Sequence, residues 1–257
     1  MSRRGLSSFS FVFAALAIAC GGSQPQQETA APAAAGAVDE APPPLPGDGT
    51  ITGKITFEGT APTMQVIRMS SDPLCMSEGA TSEVLLVGPG NGLQNVFVYV
   101  KDGLGDRTFQ PPKTPVVLDQ EGCKYLPHVF GVQVGQPVRI LNSDATLHNV
   151  HAVPKVNSEF NFGQPNKGDE RVRTFDKPEI MVPFRCDVHG WMNSYGGVVA
   201  HPFFAVTKDD GSFEIKGLPE GTYTLEAWHE RLGTQTASVT SDGKSPVTAA
   251  FTFKGEA

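Results

Sequence analysis

Residues 51–58 read Ile-Thr-Gly-Lys-Ile-Thr-Phe-Glu. In an extended chain Ile51, Gly53, Ile55 and Phe57 fall on one side, and Thr52, Lys54, Thr56 and Glu58 on the other. A period of two with one apolar face is the pattern of a half-buried β-strand. The same reading extends outward. Val96-Phe97-Val98-Tyr99-Val100 is apolar on both faces and predicts a central strand. Further strands are predicted at 115–119, 130–134, 137–142, 148–153, 179–186, 196–206, 212–216, 222–228, 235–240 and 246–253. Turn formers separate them: Gly88-Pro89-Gly90, Asp102-Gly103, Gly135-Gln136, Asp210-Gly211 and Pro219-Glu220-Gly221. The stretch 154–178 is long and polar and reads as a surface excursion. There is no long amphipathic helix and no repeat of fixed period. Many short strands with this punctuation predict an all-β fold of sandwiches or barrels.

Composition narrows the functions. The chain has 257 residues and a formal net charge of −7, which excludes a basic nucleic-acid-binding surface. That length allows one or two domains with a sizeable core. Arg3 and Arg4 precede an apolar run at 9–19 that ends at Cys20. This is a charged n-region, an h-region and a small-residue cleavage site, too short to span a bilayer. Residues 21–48 are rich in Ala, Pro, Gln and Gly, with acids and no base, and cannot order themselves by burial. They read as a tether to a folded body at about 49–257.

The Ala17-Ile18-Ala19-Cys20 run resembles the lipobox of bacterial lipoproteins, with Ala17 where Leu is commoner. The resemblance implies cleavage after residue 19, lipidation of Cys20 and attachment to a membrane. In a Gram-negative cell, Gly21 after the Cys implies the outer membrane, with the body facing the periplasm or the cell surface. An ordinary signal peptide is the alternative. In an exported chain thiols oxidise. Cys75 and Cys123 lie in polar, turn-like contexts and are expected to pair, two free thiols being the alternative. Cys186 is then left single.

The surroundings of Cys186 differ from those of the other cysteines. Residues 184–192 read Phe-Arg-Cys-Asp-Val-His-Gly-Trp-Met, placing Cys186, His189 and Met192 on one short loop leaving a strand. Upstream, 142–151 reads Asn-Ser-Asp-Ala-Thr-Leu-His-Asn-Val-His. One thiolate, two imidazoles and a thioether form a donor set suited to copper, with soft sulfur for Cu(I) and nitrogen for Cu(II). The second His has to come from a neighbouring strand, so the fold shapes the site before metal arrives.

The segment 127–199 resembles the cupredoxins, the type 1 copper proteins. Its Cys-x-x-His-x-x-Met loop is similar to the short loop of amicyanin, and His148-Asn149-Val150-His151 to that family's upstream segment. The resemblance implies one mononuclear copper ion held by His148, Cys186 and His189, with Met192 axial, and a Greek-key sandwich around it. Asn149, His128 and Trp191 are candidates for contacts just outside the ligands. Trp191 and Tyr195 form either a docking face for an unidentified redox partner or packing over the copper. His151 is expected to face outward. With a single Cys in the loop, and Arg185 and Asp187 flanking it, neither a binuclear copper centre nor a multicopper oxidase is expected, and the chain is read as an electron carrier and not an enzyme.

The segments Asp209-Asp210-Gly211-Ser212-Phe213-Glu214-Ile215 and Leu218-Pro219-Glu220-Gly221-Thr222-Tyr223-Thr224-Leu225, with Gly53-Lys54-Ile55, resemble the carboxypeptidase regulatory-like domain, a transthyretin-like or carbohydrate-binding-like β-sandwich. The implied organisation is a signal peptide at 1–19, a lipidated Cys and tether at 20–48, this sandwich from 49–82 plus 201–257, and a cupredoxin domain at 83–200 inserted in or packed on it. Sugar binding has no aromatic platform in its favour beyond Trp228. His201 and His229 are expected at the contact between the sandwiches rather than in a second metal site. Copper storage or delivery, and a surface-binding module with copper secondary, are the competing functions.

Overall fold

The computed structural model describes residues 43–76 and 80–255. The expected signal peptide, Cys20 and most of the tether lie outside them. The protein is all-β, and the described residues contain no α-helix, only short 3-10 turns at Pro73–Cys75 and Pro89–Asn91. In chain order the strands are β1 (Gly49–Glu58), β2 (Phe97–Asp102), β3 (Val116–Glu121), β4 (Lys124–Leu126), β5 (Val129–Gln133), β6 (Val138–Asn142), β7 (His148–Ala152) and β8 (Phe160–Gln164). They continue as β9 (Glu170–Arg173), β10 (Glu179–Arg185), β11 (Asn193–Val199), β12 (Phe204–Val206), β13 (Ser212–Leu218), β14 (Glu220–His229), β15 (Gly233–Asp242) and β16 (Pro246–Lys254).

The described strands form four sheets that stack in pairs. A three-stranded sheet β13-β1-β16 faces a four-stranded sheet β12-β2-β14-β15. Between them Ile51, Ile55, Phe57, Phe213 and Phe251 interlock with Val98, Val100, Tyr223 and Leu225, all buried. The apolar face read from 51–58 is therefore the inner face of β1, and each such Ile or Phe contributes about 1.5–3 kcal/mol by leaving water. Gly53 sits on this strand because a Cβ there would fall 2.2 Å from the carbonyl oxygen of Ala249 and 2.3 Å from the Phe213 ring. The second pair is a five-stranded sheet β5-β11-β10-β7-β8 and a four-stranded sheet β4-β3-β6-β9. Its core holds Leu118, Tyr125, Val138 and Ile140 against Phe130, Val150, Val182, Phe184 and Val198.

A third cluster joins the two sandwiches: Phe97, Tyr99, Val129, Met181 and Val199, with Tyr195, Phe204 and Trp228 packed against it. Aromatic rings lie directly on glycine backbone here. A Cβ on Gly197 would come within 2.5 Å of the Phe97 ring, and one on Gly131 within 2.3 Å of Phe204.

Several expectations shift. The strand expected at 196–206 is two strands in different sheets, β11 and β12, because the chain crosses from one sandwich to the other at Ala200-His201-Pro202, where Pro202 has no N–H to continue a ladder. The polar stretch 154–178 contains β8 and β9, edge strands of the two sheets around the second core. The strand at 97–102, grouped by sequence with 83–200, pairs with β12 and β14 in the terminal sandwich, with Phe97 opposite Trp228. Conversely, Met69 and Cys75, grouped with the terminal sandwich, are buried in the other core. Periodicity marks which face of a strand is buried; it does not say against which partner.

Candidate metal centre

Two neighbouring strands deliver the site. His148 is the first residue of β7, and Cys186 follows the last residue of β10. The strands pair antiparallel, with Phe184 opposite Ala152 and Arg185 opposite His151. That register carries Cys186 toward the start of β7, and the N–H of Asn149 donates to Cys186 Sγ at 3.4 Å. The loop from Cys186 to β11 closes on itself: the N–H of Cys186 donates to the carbonyl of Met192 at 3.2 Å, and the N–H of Met192 to that of His189 at 2.9 Å. This is the physical content of the Cys-x-x-His-x-x-Met spacing, a tight turn that returns His189 to the sulfur it left.

His148, Cys186 and His189 converge. One ligand atom from each lies within 4.8 Å of the others, and all three residues are buried. His148 Nδ1 and His189 Nδ1 face each other at 3.0 Å, and Cys186 Sγ is 3.8 Å from His189 Nδ1. A second backbone donor, the N–H of His189, reaches the sulfur at 3.3 Å. Two N–H groups aimed at one sulfur are what a thiolate ligand accepts. Met192 is 2% exposed and packs in the same core.

The outer nitrogens fix the proton positions. His148 Nε2 donates to Asp144 Oδ2 at 2.8 Å, and His189 Nε2 to Asp72 Oδ2 at 3.2 Å. A carboxylate only accepts, so each Nε2 carries a proton, and in the neutral ring Nδ1 presents a lone pair inward. Burial holds His148 below the usual imidazole range, outweighing the opposing pull of Asp144, and so favours the neutral, ligating form. Two lone pairs 3.0 Å apart beside a sulfur repel unless a metal ion or a proton lies between them. The donor set fits a copper ion in both softness and placement. Two further groupings, Asp72-Cys75-His189 and Cys123-Asp144-His148, share these imidazoles, but their sulfurs are joined in the Cys75–Cys123 disulfide.

The remaining candidates take other places. Asn149 braces the loop: its Oδ1 accepts the N–H of Asp187 at 3.0 Å. The Trp191 ring lies 5.0 Å from that of His189, and its indole N–H donates to the carbonyl of Cys123 at 3.0 Å. Trp191 thus packs over His189. Tyr195 is at the contact between the sandwiches, its ring 5.1 Å from that of Trp228. His128 turns its Nε2 to Glu230 at 2.5 Å. His151, expected to face outward, is buried between Asp187 and Glu159, at 2.9 and 2.6 Å, and takes no part in the convergence. His201 Nε2 donates to the carbonyl of Val100 at 2.8 Å, while His229 Nδ1 accepts the N–H groups of Arg231 and Leu232 at 3.2 and 3.3 Å. Burial lowers both imidazoles to about 4.

Sequence reading missed Asp72, Asp144 and Thr146. Asp144 lies four residues before His148, a usable signal. Asp72 has none, since only the folded chain brings it 117 positions along to His189.

No protein-family model matches the chain, and no curated protein does. Among solved structures, a methionine-to-alanine mutant of amicyanin in its Cu(I) form is 24% identical over 39% of this chain and 97% of that one, with a TM-score of 0.30. A Cu-containing nitrite reductase from Thermus scotoductus SA-01 is 24% identical over 37% of this chain and 24% of that one, at 0.29. A purple cupredoxin from Nitrosopumilus maritimus is 20% identical over 32% of this chain and 98% of that one, at 0.27. The donor geometry, rather than these partial likenesses, carries the functional reading.

Proposed function

We propose that the chain is a mononuclear type 1 copper protein that carries single electrons in the cell envelope, held to the membrane by a lipid on Cys20. One observation carries the copper assignment: the inward Nδ1 atoms of His148 and His189, 3.0 Å apart, beside the Sγ of Cys186. His148, Cys186 and His189 would hold the ion, with Met192 as the candidate fourth donor. Copper bound there supplies a one-electron couple between Cu(I) and Cu(II). The protein's part is to keep the donors still. Backbone bonds at both ends of the 186–192 loop, the β7–β10 register and the surrounding core leave little to rearrange as charge changes. Burial of the donors also shields the sulfur from water and from oxidation.

The terminal sandwich, like a carboxypeptidase regulatory-like domain in its turns, serves in this reading as a mount. It carries no metal-ligand cluster among its described residues. The electron donor and acceptor are redox proteins of the same compartment.

Titration of purified protein with Cu(II) tests the assignment. One equivalent is expected to produce an intense thiolate-to-copper band in the visible, with tight retention of both oxidation states. A colourless product rejects it. A coloured protein that exchanges electrons slowly and releases Cu(I) readily to a chelator favours storage or delivery.

A further inference from the structure

The carboxylates of Asp72 and Asp144 are fixed in place independently of the imidazoles. Asp144 accepts the N–H groups of Gly122 and Cys123 at 2.9 and 2.8 Å. Asp72 accepts the N–H of Leu74 at 2.9 Å through Oδ1 and the hydroxyl of Thr146 at 2.7 Å through Oδ2. The two anchoring turns are themselves joined, because Cys75 is bonded to Cys123. Contacts therefore run in a closed circuit: His148, Asp144, Cys123, Cys75, the turn holding Asp72, then His189, whose Nδ1 faces that of His148. The disulfide lies against the site, with Cys75 Sγ 3.8 Å from His189 Nε2. Thr146 crosses the circuit, tying Asp72 to the loop that carries Asp144.

We propose that Asp72 and Asp144 are positioning residues for the metal centre, and that the Cys75–Cys123 disulfide makes them a single brace. The brace sets both imidazoles as Nε2–H tautomers with Nδ1 inward before metal enters. Its two negative charges make the imidazoles stronger donors and favour Cu(II) over Cu(I). This rests on the copper reading above. The inner donors alone would leave each ring free to rotate or to move its proton to Nδ1; the outer carboxylates remove both freedoms.

The first measurement needs no copper. Nitrogen-15 NMR of the metal-free full-length protein is expected to show a protonated Nε2 at both His148 and His189. A bare Nε2 at either residue overturns the proposal, whatever copper does. The second measurement uses Asp72→Asn and Asp144→Asn. Each is expected to keep the visible band, to lose about 10–100-fold in Cu(II) affinity against a competing chelator, and to raise the potential by about 59 mV for each tenfold loss of Cu(II) relative to Cu(I) affinity. Asp72→Glu and Asp144→Glu are expected to recover part of the potential. A joined brace also predicts that Cys75→Ser/Cys123→Ser and Asp72→Asn combine less than additively in Cu(II) affinity. A coloured wild-type protein whose Asn variants keep its affinity and potential, or strict additivity, overturns the brace and leaves the copper reading standing. A colourless wild type removes the copper reading itself.

Discussion

His128 and Glu230 meet at 2.5 Å across the contact between the two sandwiches, with both side chains almost fully buried. Nearby, Tyr99 donates to Glu226 at 2.7 Å, and Lys101 bonds the other oxygen of the same carboxylate at 2.5 Å. Polar groups buried at such a seam need their partners, because an orphaned one carries its full desolvation cost. Glu230→Ala is expected to lower stability by on the order of 3 kcal/mol, measured by denaturant unfolding, while leaving the visible spectrum of the copper-loaded protein unchanged. Loss of the band in this variant would place His128 and Glu230 in the metal centre instead.

The ligand assignment distinguishes neighbouring residues. Cys186→Ser is expected to abolish the visible band, and His148→Gln to weaken or shift it strongly. His151→Gln is expected to leave the band in place, because the His151 imidazole is engaged by Asp187 and Glu159. Absorption spectra of the variants check this; a reversed pattern for the two histidines would exchange their roles.

The disulfide closes a sequence separation of 48 residues. Removing it as Cys75→Ser/Cys123→Ser is expected to cost about 4 kcal/mol of stability by the chain-entropy relation. Copper affinity falls with it, since the turns holding Asp72 and Asp144 lose their link. Equilibrium unfolding of the copper-free variant separates the two effects.

Acid is expected to destabilise the terminal sandwich first. His229 is 1% exposed, and its Nδ1 accepts two backbone N–H groups, so protonation has no room there. Burial lowers it from 6.5 to about 4. The unfolded chain takes up a proton near the ordinary value and the folded chain only near the lowered one. The contribution is therefore fully present above 6.5 and is lost as pH falls toward about 4. For this one group the loss is on the order of 3 kcal/mol, and His201 acts in the same direction. His229→Asn, which keeps an acceptor near the two N–H groups, is expected to flatten the pH dependence of unfolding between these limits.

The sequence shows local structure well and partnership poorly. The alternation in 51–58 identifies β1 and its buried face, since both follow from a period of two. The spacing of Cys186, His189 and Met192 is legible because a short loop leaves few ways to arrange them. His148 is found through the strand context and the family resemblance. The pairing of β2 with β14 is not legible, because Val96 to Val100 is apolar on both faces and suits any central position. Nor is the brace, which depends on two turns brought together by long-range folding. Asp72, in the turn that carries Cys75, gains its place beside His189 from the Cys75–Cys123 link and the hydroxyl of Thr146.

The account is tested most directly by the optical and electron paramagnetic resonance spectra of the purified protein loaded with one equivalent of Cu(II). An intense visible band, and a copper signal with the narrow hyperfine splitting of a thiolate-bound ion, both lost in Cys186→Ser, are the predicted result. A weak, ordinary tetragonal Cu(II) spectrum that persists unchanged in Cys186→Ser would contradict it.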